Sequence, residues 1–180
     1  MEKRYEIRQL VEESDKREAG KELLKNLRDA DYAEIAAMEG LKRDTQEYRI
    51  RSFLAVKNEV KSSISLSDEV WEARKKDGEL LVLWGRRKLE GFDGCLIWCL
   101  GTDAIKTMFA SFARESKEIL RGWVKEYGLL YNAVSEENTD AVKWLNFIGT
   151  GYTEPFPRGD MAFRPFYITE ETMYSTEKKR

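Results

Sequence analysis

Chemistry in this chain has to be done without histidine, because the sequence contains none. That removes the usual general base and the usual zinc ligand, so zinc hydrolases and Ser-His-Asp hydrolases are excluded. The two cysteines, Cys95 and Cys99, lie four residues apart in Gly94 to Gly101, a run that reads as a buried strand. On a strand they share a face, and at about 3.3 Å per residue their Cα atoms stand about 13 Å apart. A disulfide needs less than about 7 Å, so the pair is expected as two buried thiols. Tyr131 and Tyr152 carry exchangeable protons, but each sits in an apolar strand pattern that predicts core packing. Glu136 and Glu137 precede Asn138, where carboxylates favour a helix N-terminus and the Asn side chain caps it. Lys106 leads into another predicted helix and reads as a lysine in solvent, with attraction of a phosphate as the alternative. Arg86-Arg87-Lys88 near Trp84 is a basic-aromatic cluster; as a turn between strands it reads as a solvated loop, so nucleic acid is not an expected partner.

The elements that must position these groups alternate between strands and helices. Residues 1–20 mix acidic and basic side chains around a thin stripe of Ile7, Leu10 and Val11, which predicts an exposed or partner-packed helix. Leu23 to Leu27 reads as a short first strand. A helix starts at Asp29, carries Tyr32, Ile35 and Ala36 on one face, and stops at Gly40. A second helix begins near Asp44 or Thr45 and fades into the Ser-rich stretch after Lys61. Val70–Lys76, Asp77-Gly78 and Glu79–Trp84 form the strongest hairpin signal, since Asp-Gly readily takes positive φ. Gly85 to Phe92 reads as a basic loop.

Cys95 to Leu100 is continuously apolar, as a central strand covered on both faces should be. Met108 to Trp123 reads as an amphipathic helix closed by Gly128, followed by a strand over Leu129–Val134 and a helix capped by Asn138 or Thr139. Ala162 to Ile168 is a last strand that Pro165 confines to an edge or bulge. Pro155-Phe156-Pro157 presents an aromatic in a stiff turn, either a candidate for protein contact or a Phe folded back over the core. The division expected is a charged helical extension over 1–21, one domain over 22–170 and a disordered tail over 171–180.

Composition narrows the class further. Among 180 residues, Lys plus Arg number 31 and Asp plus Glu 33, so no long-range field favours nucleic acid or an anionic membrane. No run of about eighteen apolar residues is present, and the charged N-terminus lacks a signal peptide's apolar core. The expectation is a soluble, intracellular α/β domain.

The stretch Leu129 to Tyr152 resembles the last βαβ unit of the GNAT acyltransferases. In that family an Asn opens a helix beside the pantetheine of acetyl-CoA, a small residue follows three positions on, a Tyr stands at position seven and Gly-Phe closes the unit. Asn138 and Ala141 match; Leu145 replaces the Tyr, and Gly149 is followed by Thr150. The order of elements is also the family's, which implies a GNAT-like mixed central sheet flanked by helices. The loop that should cradle the CoA pyrophosphate corresponds to Asp103 through Ser111, which contains no glycine, and Cys95–Leu100 holds no carboxylate. Were CoA bound, the resemblance implies contacts from Asn138, Lys106 and Leu100.

Shorter matches, Asn26 to Asp31, Ile97 to Thr102, Phe112 to Lys117 and Asn132 to Leu145, resemble internal-virion or virion-assembly proteins of short-tailed phages, whose GNAT-like fold is degenerate. That resemblance implies a non-catalytic protein with no cofactor and no metal. It implies partners among other phage virion or morphogenesis proteins, and a place in the host cytoplasm during assembly or in the virion. The alternatives are a divergent acetyl-CoA-dependent N-acyltransferase and a protein that binds host proteins through its N-terminal helix.

Overall fold

Asp77-Gly78 makes the tight turn that the sequence predicts. Gly78 holds φ at 92°, its N–H donates to the Lys75 carbonyl, and the Asp77 carboxylate accepts from the Glu79 N–H. The turn joins β2 (Glu69–Lys75) to β3 (Leu80–Arg87), which pairs antiparallel on its other edge with β4 (Cys95–Gly101). The computed structural model of the protein describes residues 5–177.

The N-terminal segment departs from expectation. Instead of a helical extension over 1–21, Tyr5–Leu10 forms β1, an edge strand paired antiparallel with β2 from Tyr5 opposite Lys75 to Leu10 opposite Val70. Tyr5 and Ile7 alternate with Glu6 and Arg8, so the period is two; the stripe divides, Ile7 packing with Tyr5 on one face of the sheet, Leu10 buried on the other and Val11 exposed beyond the strand. Helix α1 (Glu13–Asn26) absorbs the strand predicted at Leu23–Leu27. Its Ala19, Gly20 and Leu23 are buried, and a Cβ on Gly20 would stand 2.7 Å from Ile64 Cδ1 of α3 (Tyr48–Ser65), which would have to turn aside. Met1–Arg4 lie outside the described residues.

Between these helices runs α2 (Asp29–Met38). After β4 come a 3-10 turn (Asp103–Thr107), α4 (Phe109–Tyr127), β5 (Leu130–Ser135) and α5 (Thr139–Ile148). Two short strands, β6 (Gly151–Tyr152) and β7 (Phe156–Arg158), precede β8 (Met161–Ile168). The sheet order is β1-β2-β3-β4-β5-β8-β6, with β7 also on β8, so the Cys95–Leu100 run lies at the centre as predicted. The C-terminal segment expected as a disordered tail continues as α6 (Glu170–Glu177), whose Met173 is buried against α4 and α5; Lys178–Arg180 lie outside the described residues.

Helices cover both faces. On one, Leu23, Ile35, Val56, Val60 and Ile64 of α1–α3 pack on Val70, Leu80 and Leu83. On the other, α4 and α5 bury Phe112, Leu120, Trp123, Trp144 and Leu145 against Val82, Trp84, Ile97 and Leu130. An aromatic row, Trp71–Trp84–Phe112–Trp144, with centroid spacings of 6.3, 5.3 and 6.3 Å, ties the second layer together. Arg86, predicted in a solvated loop, is buried in β3 with its guanidinium 2.6 Å from Glu69 and stacked over Tyr127, so it presents no basic patch. Phe156 folds back to stack on Phe163 at 5.9 Å. No helix among the described residues is long and apolar enough to cross a membrane.

Candidate active site

β4 and β5 run parallel but pair only at Cys95–Leu130 and Leu96–Tyr131. Asn132 Nδ2 bridges to the Ile97 carbonyl at 2.6 Å, and beyond it the strands diverge around a cavity of about 230 Å³. Backbone groups on a strand alternate sides, so those of Ile97, Cys99 and Gly101 face β5. Gly101 is taken up by α2: its N–H donates to Asp31 at 2.7 Å and its carbonyl accepts the Arg28 N–H at 3.0 Å. That leaves the Cys99 N–H and C=O facing the cleft with no strand partner among the described residues.

The cleft is closed on the α2 side by a polar network. Arg28 forks onto Asp31 at 2.6 and 3.0 Å, and Asp31 is buried. Asn138 Nδ2 donates to Asp31 at 3.1 Å and to Glu34 at 2.6 Å, while its Oδ1 accepts from Ala141 N–H and caps α5. The Ser135 N–H donates to the other Glu34 oxygen at 2.6 Å. Burial raises the Glu34 carboxyl to about 7; the two donors oppose the rise and the charge of Asp31 adds to it. Glu34 is thus a carboxyl held near neutrality on the wall of the cavity.

No protein-family model matches the sequence, and no curated protein matches it. Among solved structures, the chain is similar over its length to acetyltransferases. One is an aminoglycoside N(6′)-acetyltransferase from Legionella pneumophila, with a TM-score of 0.62 at 10% identity, covering 100% of this chain and 98% of that one. Another is an acetyltransferase of the GNAT family from Bacillus anthracis, at 0.59 and 16%, covering 94% and 96%. A third is a spermidine N-acetyltransferase from Vibrio cholerae solved with CoA and spermine, at 0.58 and 14%, covering 95% and 98%. The fold is that of the GNAT acetyltransferases. This finding overturns the expectation of a non-catalytic virion-assembly protein without a cofactor. The chain's structural neighbours are acetyltransferases, one of them solved with CoA, and no comparison points to a phage protein.

The residues here fit part of a CoA molecule. The cavity between β4 and β5 has apolar walls, among them Ile97, Leu100, Val134 and Ala141, and the open Cys99 backbone groups supply the amide partners that a pantetheine arm needs. The nucleotide end is different. Where a glycine loop would expose its N–H groups, the 3-10 turn carries side chains, and Lys106 is held 2.5 Å from Asp103.

Of the residues singled out in the sequence, Leu100 and Asn138 lie together in the cavity wall, whereas Lys106 is exposed on the turn outside it. Leu145, at the position where the family has Tyr, is fully buried in the core. Tyr131 Oη is buried with no hydrogen-bond partner among the described residues, rather than satisfied at an edge; Tyr152 bonds Asn146. Glu136 pairs with Arg164 and Glu137 with Arg43. Both thiols are free; Cys95 is buried, and Cys99, half-buried on the cavity wall, is pushed up to about 12 by desolvation and the charge of Asp31. Arg28, Asp31 and Glu34 escaped the sequence reading as site residues. The available signal was the three-residue spacing of Asp31 and Glu34, which puts both carboxylates on one helical face.

Proposed function

We propose that the protein is an N-acyltransferase that takes its acyl group from acetyl-CoA and delivers it to a primary amine, with Glu34 as general base. The observation that carries this reading is the Glu34 carboxyl, lining the cleft where β4 and β5 part and set near neutral pH. A base matched to the working pH is both partly ionised and basic enough to accept a proton. Acetyl-CoA when bound supplies an activated acyl carbon on a thioester.

Glu34 takes a proton from the acceptor ammonium and frees its nitrogen lone pair; the N–C bond forms as the C–S bond breaks. Leu145 supplies no proton, so the departing sulfur takes one from solvent, and the second amine proton also leaves to solvent. Asn138 acts through Glu34, holding its carboxylate toward the cleft, while Leu100 and Asn138 form the wall along which the donor lies. Glu39 and Glu59 line the α2–α3 side of the same cavity and favour a cationic acceptor.

The test is an assay of the full chain with acetyl-CoA and a panel of alkylamines, following free thiol and product mass together. Turnover that climbs with pH to a plateau above about 7 is expected, with a loss of about 100-fold or more in Glu34→Gln. No turnover with any amine, together with no binding of acetyl-CoA, refutes the proposal.

A further inference from the structure

We infer that the donor site grips the pantetheine arm and leaves the nucleotide in solvent, so that thioesters of pantetheine itself serve this protein about as well as those of CoA. This rests on the N-acyltransferase reading and specifies its donor.

The two ends of the cleft differ in what they offer. In the throat, the β4–β5 ladder stops after Leu96–Tyr131, and the Cys99 backbone groups are left open between apolar walls. An extended chain with amides and no charge matches that surface: its methylenes are buried and its amide groups find backbone partners.

The outer end has the opposite character for a polyanion. CoA carries a pyrophosphate and a further phosphate, which need exposed N–H groups or free cations. The side chains of Asp103 through Thr107 occupy the turn that would have to approach them, and the turn's cation is consumed within it. Lys106 lies 2.5 Å from Asp103, whose carboxyl is held below its ordinary range by that hydrogen bond and so stays ionised. On the facing helix α5, Lys143 pairs with Asp140 at 3.7 Å, and Asp140 itself lines the cavity. Arg28, the guanidinium on the cavity wall, is committed to Asp31. A phosphate arriving here meets three cations, each already paired with a carboxylate. Each carboxylate stays beside its cation and repels the phosphate as the cation attracts it, so the net gain is small.

The arm's chemistry has two sources, a free thioester and one carried on a phosphopantetheinyl carrier protein. Calorimetric titration of the full chain with CoA, with pantetheine, and with a carrier protein in its holo and apo forms separates them, and it reads binding without requiring turnover. The expected result is pantetheine binding within about tenfold of CoA, a difference of about 1.4 kcal/mol and less than one charge-assisted hydrogen bond. CoA affinity should also change little between low and moderate salt. A holo carrier that binds more tightly than pantetheine, while the apo form does not bind, identifies the carried arm; binding no tighter identifies the free thioester.

CoA binding more than tenfold tighter than pantetheine, with amine acylation intact, overturns this inference and leaves the acyltransferase reading standing. Failure of both CoA and pantetheine to bind overturns the two together.

Discussion

Replacing Glu34 by Gln tests the site through stability as well as through rate. The carboxyl moves from an ordinary value of 4.5 to about 7 in the folded protein, because burial opposes its charge. Between those values the folded state holds a proton that the unfolded state has released, so the contribution of Glu34 to stability falls as pH rises from about 4.5 and levels off above about 7. At 1.36 kcal/mol per unit, the full effect is about 3 kcal/mol, of which about 2.5 falls between pH 5 and pH 8. Gln cannot ionise, yet it keeps an oxygen for the Ser135 N–H.

Loss of an acceptor oxygen for Asn138 costs about 1 kcal/mol at either pH, the charge-dependent part being already contained in the raised Glu34 value, so it shifts the whole comparison without tilting it. Urea unfolding of both proteins near pH 5 and near pH 8 should therefore show the variant gaining about 2 to 3 kcal/mol on the parent as pH rises. Catalysis should move the other way, falling about 100-fold or more and losing the rising limb below pH 7. A stability gap that does not change with pH, or one that changes in the parent's favour, refutes the argument that Glu34 is a carboxyl held near neutrality.

Two further outcomes follow from the same geometry. Asn138→Ala removes the donor shared by Asp31 and Glu34 together with the cap of α5, and should cost about 2 to 3 kcal/mol in urea unfolding. Because the Asn138 hydrogen bond holds Glu34 down, its loss should also move the rising limb of the pH–rate profile above the parent's; an unmoved profile would count against the coupling. The thiols should be inert in the folded protein, since Cys99 is pushed up to about 12 and burial raises Cys95. Near pH 8 only about one part in ten thousand of Cys99 is thiolate, so Ellman's reagent should react with the native chain at least about 100-fold more slowly than with the urea-unfolded chain, and rapid labelling of the native chain would refute it.

What the sequence disclosed and what it hid divide by the distance over which the deciding interaction acts. The Asp77-Gly78 hairpin, the Cys95–Leu100 strand and the Asn138 cap are decided within a few residues, by φ freedom, apolar continuity and an Asn oxygen reaching Ala141 three positions on. The Tyr5–Leu10 strand is decided by a partner some sixty positions away, Glu6 opposite Arg74 and Gln9 opposite Trp71. A charged segment with a thin apolar stripe satisfies a helix and an edge strand equally until that partner is known.

The base was hidden for the same reason, one level higher. Resemblance directs the search for a carboxylate to β4 and for a phenol to α5, and both positions are apolar here, Cys95–Leu100 and Leu145. The carboxylate enters instead from α2, where Asp31 looks like an ordinary first-turn acid and Glu34 like a solvated helix residue one turn on. Only the docking of α2 on the end of β4, through Gly101 to Asp31 and Arg28, brings Glu34 against Asn138 and Ser135, more than a hundred residues along the chain. The divergence of β4 from β5 opens the donor cleft, and α2, lodged at its mouth, closes enough of it to desolvate Glu34. Cleft and base meet at Asn138, which caps α5 beside the cleft and donates to both Asp31 and Glu34.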